Sequence, residues 1–165
     1  MTTNVGNFVE PVLRQAKDIL YAGIETVMNT IDSEHSSDFV LPSIAKYHTG
    51  RTFLVQNFPA IVIWPDSDSG GEYSNDSLYL DLIFTVYVIV QDDDQERLQK
   101  KLWRFQEAIV RTLKASSQTD NMGGQVDVFE FAGLKFENPW TSITESGYID
   151  AVGVSFKAHH EEIIS

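Results

Sequence analysis

Residues 78–90 constrain the fold of this chain more than any other stretch. Leu78, Leu80, Leu82, Phe84, Val86, Val88 and Val90 alternate with Tyr79, Asp81, Ile83, Thr85, Tyr87 and Ile89. Successive side chains of a strand point to opposite faces, so the first set makes one purely apolar surface. Such a surface must be covered by a helix layer or a second sheet. The second set mixes aromatic and aliphatic groups with polar ones, which predicts a partly covered face.

Two amphipathic segments can supply the cover. In residues 8–31, Val9, Val12, Leu13, Ala16, Ile19, Leu20, Ile24, Val27 and Met28 recur every three or four positions, as on one helix face. Asn7 followed by Glu10 resembles a capping box. Pro11 then falls in the first turn, where a missing N–H costs least, so the helix starts either at Asn7 or nearer Pro11. The second helix is expected from Asp92-Asp93-Asp94 to about Lys114, with Leu98, Leu102, Phe105, Ile109 and Leu113 as its buried stripe. The three aspartates suit the positive end of the helix dipole and read as a solvated first turn; Arg111 and Lys114 suit its negative end.

Between these segments, residues 32–50 are polar and broken by Pro42 and Gly50, which predicts a loop or hairpin with a short strand near 39–41. RTFLVQNFPAIVIWP reads as a strand interrupted at Pro59, which must lie at a strand start, an edge or a bulge. Further loops are expected near 65–77 and 115–125, and two β-rich segments, 126–136 and 143–160, close the chain. The order α-β-β-α-β-β over residues 1–165 predicts a single α+β domain: a mainly antiparallel, twisted β-sheet packed by two long amphipathic helices.

With 165 residues, 42% of them hydrophobic, the chain can build one core without a metal or disulfide, and it has no cysteine for thiol chemistry or a cysteine zinc site. Its net charge of -12 argues against non-specific binding to nucleic acid or to an anionic membrane. The start, MTTNVGNFVE, lacks the pattern of a signal peptide, and no apolar run approaches a membrane span, so a soluble protein made inside the cell is expected.

Catalytic signatures are absent: the sequence contains no GxxxxGK[ST], no GxGxxG after a strand, no GxSxG and no HExxH. No catalytic residue, cofactor or metal is therefore expected. His159 and His160 would point to opposite faces of a strand and cannot share one ion, so with Glu161 and Glu162 they read as a solvated tail. His35 and His48 lack ligand-like spacing. DSDSGG lacks the spacing of a calcium loop, and the sequon at Asn75 has meaning only in a secreted chain. Six of the twelve basic residues fall in the second helix: Arg97, Lys100, Lys101, Arg104, Arg111 and Lys114. They read either as an ordinary solvated face, with Arg97 and Lys101 repelling each other, or as a basic face that meets an acidic one on another copy or protein.

The order of segments, the proline-preceded strand FPAIVIWPD (58–66), and the acidic turn leading into VIVQDDDQERLQKKLWRFQEAIVRTLK with Leu98, Leu102, Ala108 and Ile109 resemble the tail terminator, or tail-completion, proteins of long-tailed bacteriophages and tail-like particles. The resemblance implies an α+β virion protein, made in the host cytoplasm, that forms a homo-oligomeric ring, usually a hexamer, on the last ring of tail tube protein. That ring ends tube growth and presents a surface to head-completion or neck proteins while DNA passes through the lumen without specific binding. It implies no catalytic residue and no cofactor. A different head–tail connector ring or a tail tube subunit is the nearest alternative. A small-molecule-binding α+β module, an enzyme, or an adaptor working as a monomer or dimer is the alternative of another class. On the ring reading, Asp66, Asp68, Glu72 and Asp76 of the acidic loop and Arg97, Lys100, Lys101 and Arg104 of the basic helix face are the expected contacts between subunits or with the tube.

Overall fold

The first apolar stripe becomes α1 (Gly6–His35), which runs through Pro11 and one turn beyond the expected end. Phe8, Val12, Leu13, Ala16, Leu20, Ile24, Met28 and Ile31 line its buried face. The computed structural model of the chain describes residues 6–35, 39–52, 55–66, 69–73, 76–119, 128–140 and 147–163. The side chain of Asn7, and with it the expected capping box, lies outside the described residues, as do Asn75, Asp68, residues 120–127 and residues 141–146.

Residues 39–41 form no strand; they belong to a strap along α1. The Asp32 carboxylate accepts from the Leu41 amide at 3.2 Å, and Glu25 accepts from the Ile44 amide at 3.3 Å. These carboxylates satisfy backbone donors that no sheet partner reaches. The strap ends in β1 (Lys46–Thr49), which pairs in parallel with β2 (Ala60–Pro65). Pro59 stands immediately before β2, behind a cis Phe58–Pro59 bond. The expected loop at 65–77 contains another strand, β3 (Gly70–Tyr73), paired antiparallel with β4 (Ser77–Asp92). Ser69 bridges the gap before it: its Oγ donates to the Ile83 carbonyl at 3.0 Å and accepts from the Ile83 amide at 2.9 Å, as a strand residue would.

α2 (Gln95–Thr119) runs through the first part of the expected 115–125 loop, and β5 (Val128–Lys135) and β6 (Tyr148–Ile163) follow. The fold is α+β with the strand order β1-β2-β4-β6-β5, and β3 beside β4. The sheet is mixed rather than purely antiparallel, because β1 and β2 run parallel. The described element order is α-β-β-β-β-α-β-β rather than α-β-β-α-β-β. The two extra strands were hidden in short polar sequence without period-2 alternation.

Both helices lie on one face of the sheet, the inner face. Leu78, Leu80, Leu82, Phe84, Val86, Val88 and Val90 join the helix stripes in a single core, with Phe84 and Phe129 stacked near Phe156. The outer face of β4 changes along its length. Tyr79, Asp81 and Ile83 are half-buried, whereas Thr85, Tyr87 and Ile89 are buried. A second cluster of Val62, Tyr87, Ile89, Trp140 and Ala151 covers that half. Trp140 meets Tyr87 and Trp64 edge to face and donates its Nε1–H to the Thr52 carbonyl at 2.8 Å. The β1–β2 crossover, with Thr52, Val55 and Phe58, therefore roofs the outer face. Gly153 admits the Tyr87 ring, since a Cβ there would lie 2.6 Å from Thr85 Cγ2 and 3.0 Å from the ring.

Candidate functional site

The three consecutive aspartates do three different things: Asp93 and Asp94 are exposed at the start of α2, as in a solvated first turn, but Asp92 is not. Asp92 ends β4 with its side chain buried. It accepts from Arg97 Nη2 at 2.6 Å and Nε at 2.9 Å, and from Lys101 Nζ at 2.7 Å. Hydrogen bonds from Arg97 hold its carboxyl well below the usual carboxylate range, against the opposing effect of burial. Asp93 reaches Arg97 Nη2 from the surface at 2.6 Å. Asp94 caps α2: its carboxylate accepts from the Arg97 amide at 2.9 Å, and its carbonyl accepts the first helical bond, from Leu98. The expected repulsion between Arg97 and Lys101 is removed because both surround one anion.

The other cations of α2 are also engaged within the chain. Arg111 forks onto Glu34 of α1 at 2.9 and 3.1 Å and reaches Glu107 at 2.6 Å, which draws the Glu34 carboxyl below its ordinary range. Arg104 lies over the Phe39 ring at 4.3 Å, and Lys100 pairs with Glu96 at 3.2 Å. The helix therefore presents no open basic face of six residues: Arg97 and Lys101 fasten β4, Arg111 fastens α1 and Arg104 fastens the 39–45 strap to α2, while Lys100 pairs within the helix.

The acidic candidates are dispersed. Asp66 turns inward at the end of β2 and accepts from Thr85 Oγ1 at 2.9 Å, so Ser155, 2.8 Å from Thr85, donates to that hydroxyl. Glu72 is exposed on β3 opposite Tyr79, Asp76 is exposed before β4, and Asp68 lies outside the described residues. The contacts bring Arg97 to Lys101 at Asp92, and Lys101 and Arg104 to Phe39; they do not bring Asp66, Glu72 or Asp76 to that group. His159 and His160 are not a solvated tail. They sit in β6 on opposite faces, with His159 Nδ1 2.6 Å from Asp81 and His160 stacked on Phe8.

The surface feature that sequence reasoning missed is the edge of β5. Phe129 is buried against Phe156, but Phe131 and Leu134 are each 47% exposed and Phe136 is 64% exposed. The β5–β6 register jumps from Phe131↔Phe156 to Gly133↔Ser155, so Ala132 is an extra residue in the strand. In a regular strand Phe131 and Leu134 would point to opposite faces. The bulge returns Leu134 to the side of Phe131, across from the inner-face residues Phe156 and Val154. Gly133 carries the bulge at φ +150°, a backbone conformation that side chains disfavour. The helix layer covers Phe129 and leaves the next two inner-face side chains of β5 half uncovered. Trp103, 54% exposed, lies on the α2 flank between Gln99, which donates to Asp150, and Gln106, which donates to the Gly153 carbonyl of β6. Aromatic surface thus accumulates on the β5 side of the molecule. Spacing could have flagged Phe131 and Leu134 as a bulged strand, but not as the uncovered end of the sheet.

Two clefts accompany the outer and inner faces. One of about 320 Å³ is apolar, between Phe8 of α1 and Leu78, Leu80 and Leu82 of β4. Another of about 660 Å³ lies on the outer face, with Glu72, Tyr79, Asp81, Lys157 and His159 in its wall. Among the described residues no group of three or more His, Cys, Asp or Glu side chains is arranged to hold a metal ion, and no helix is long and apolar enough to cross a membrane. No protein-family model matches the chain, and no curated protein matches it.

Proposed function

We propose that the chain is a structural subunit of a phage tail. Its copies close into a ring, six-fold in this reading, that caps the tail tube, ends its polymerisation and joins it to the head-completion or neck proteins. The mainly antiparallel, twisted sheet forms the ring wall, and the working location is the virion. The observation that carries the proposal is the β5 edge, where Phe131, Leu134 and Phe136 leave apolar surface in water that an isolated subunit has no reason to retain. Sheet edges of this kind are blunted or covered in stable monomers. The buried ionisable group Asp92 is consumed by Arg97 and Lys101 at a strand–helix junction, which supports a structural role over a catalytic one. The charge of -12 suits a lumen past which DNA moves without binding. The resemblance in residues 58–66 and 88–114 supplies the choice of terminator within the class of ring proteins.

Native mass spectrometry and negative-stain microscopy of the chain, alone and with tail tube protein, test the reading. Closed rings, or a single added layer that stops tube growth, are expected. Long open polymers would make it a tube subunit, and rings that bind neck proteins but ignore tube ends would make it another connector. A monomer that leaves tubes unchanged and melts higher with a small ligand would overturn the structural reading.

A further inference from the structure

We infer that the two edges of the sheet are the complementary halves of one subunit–subunit joint, in which β5 of one copy pairs antiparallel with β1 of the next. The inference rests on the ring reading and specifies its contact. Among the described residues β1 pairs with β2 alone and β5 with β6 alone, so each offers one unpaired edge of backbone donors and acceptors.

Strand polarity favours the match. β1 runs with β2 and against β4, whereas β5 runs against β6 and so with β4. A second copy set beside the first in the same orientation therefore presents β1 antiparallel to β5. That is a head-to-tail contact, the kind that closes into a ring by rotation. Lengths agree as well. The bulge at Ala132 leaves residues 128–131 as the regular part of β5, as long as β1; with inner face continuing into inner face, Phe129, Glu130 and Phe131 lie opposite Thr49, His48 and Tyr47.

Side chains agree on both faces. On the inner side, Phe131 of β5 would meet Tyr47, opposite the core residue Ile61, and Tyr21, which is 72% exposed and edge-on to Tyr47. On the outer side, exposed Glu130 would stand opposite His48 and diagonally beside exposed Lys46, which lies across from Ala60. Burial and the nearby Lys46 and Lys17 push His48 below its ordinary pKa, in keeping with a basic surround at this edge. Apolar meets aromatic on one face and acid meets base on the other. Two β5 edges pairing with each other would instead bring Glu130 towards its own copy.

The chain has no cysteine, so cross-linking reads the joint directly. Native mass spectrometry first records the multimers of the unmodified chain, alone and on tube ends. A chain carrying His48→Cys and Glu130→Cys together is then oxidised; Lys46→Cys with Glu130→Cys covers a register shifted by two residues, which keeps both positions on the outer face. A ladder of disulfide-linked multimers is expected from a double variant, and monomers are expected when either cysteine is present alone. Linked dimers from Glu130→Cys alone would show β5 against β5 and overturn the joint. Rings that persist without cross-links from either pair would overturn the joint while leaving the ring reading in place. Monomers of the unmodified chain that ignore tube ends would overturn both. As a second readout, Lys46→Glu should weaken association about fivefold, the size of one exposed ion pair, and adding Glu130→Lys should restore it.

Discussion

Arg97 Nη2 donates to Asp92 Oδ1 at 2.6 Å, although Asp92 is the last residue of β4 and Arg97 lies in the first turn of α2. This bond, with Lys101 on the other carboxylate oxygen, sets the angle at which the second helix leaves the sheet. Asp92→Asn should cost about 3 kcal/mol, the lower end for breaking a buried pair, because Arg97 keeps part of its hydration. Asp93→Ala should change stability by less than about 0.5 kcal/mol. Urea unfolding of the two variants distinguishes a buried knot from a solvated acidic turn.

The same carboxylate implies a direction with pH. Its folded pKa lies below the unfolded value of 3.8, so its contribution is complete above that value and disappears as pH falls towards the folded pKa. The stability gap between the unmodified chain and Asp92→Asn should be level from about pH 5 to 8 and narrow below about pH 4. A gap that widened on acidification would contradict the assignment.

Lys100 and Lys101 are neighbours with opposite expected behaviour. Lys100 is half-exposed and, among the described residues, pairs with Glu96 across one turn, so Lys100→Glu should alter stability by about 0.5 kcal/mol or less. Lys101 is largely buried on Asp92, and Lys101→Glu would set two carboxylates together, costing several kcal/mol. Thermal melts separate them. A loss of assembly in Lys101→Glu would reflect unfolding, whereas a loss in Lys100→Glu would report a contact.

Gly153→Ala places a methyl against Thr85 and the Tyr87 ring and should destabilise by about 1–3 kcal/mol through overpacking. Adding Thr85→Ser removes the methyl carbon at 2.6 Å while keeping the hydroxyl between Asp66 and Ser155, so part of the loss should return. Equal stability of the single and double variants would place the strain elsewhere.

Trp140→Ala should cost about 3–5 kcal/mol, because the residue is 6% exposed, roofs Tyr87 and Trp64, and holds the crossover through the Thr52 carbonyl. Guanidinium unfolding followed by far-UV circular dichroism measures it. A cost below about 1 kcal/mol would mean that the outer cluster adds little to the sheet.

Periodicity alone determined the two helix stripes, the long β4 strand with its apolar face, and the α+β class, because each signal repeats at 3.6 or 2 residues over many positions and burial against any layer requires it. It did not reveal β1 or β3, each four residues long, since KYHT and GGEY become strands by pairing with β2 and β4 rather than by their own pattern. The aspartate run looked alike in sequence, yet pairing, surface contact and capping are distributed among its members by the turn from sheet to helix. The basic stripe of α2 was legible as a stripe. Whether it faced water or the chain's own acids depended on Asp92, which is near in sequence, and on Glu34 and Phe39, which only the fold brings beside it. The uncovered β5 edge was decided last of all. It depends on a one-residue bulge, which the spacing of Phe131 and Leu134 allows, and on where the helix layer ends, a property of long-range packing that no local spacing encodes.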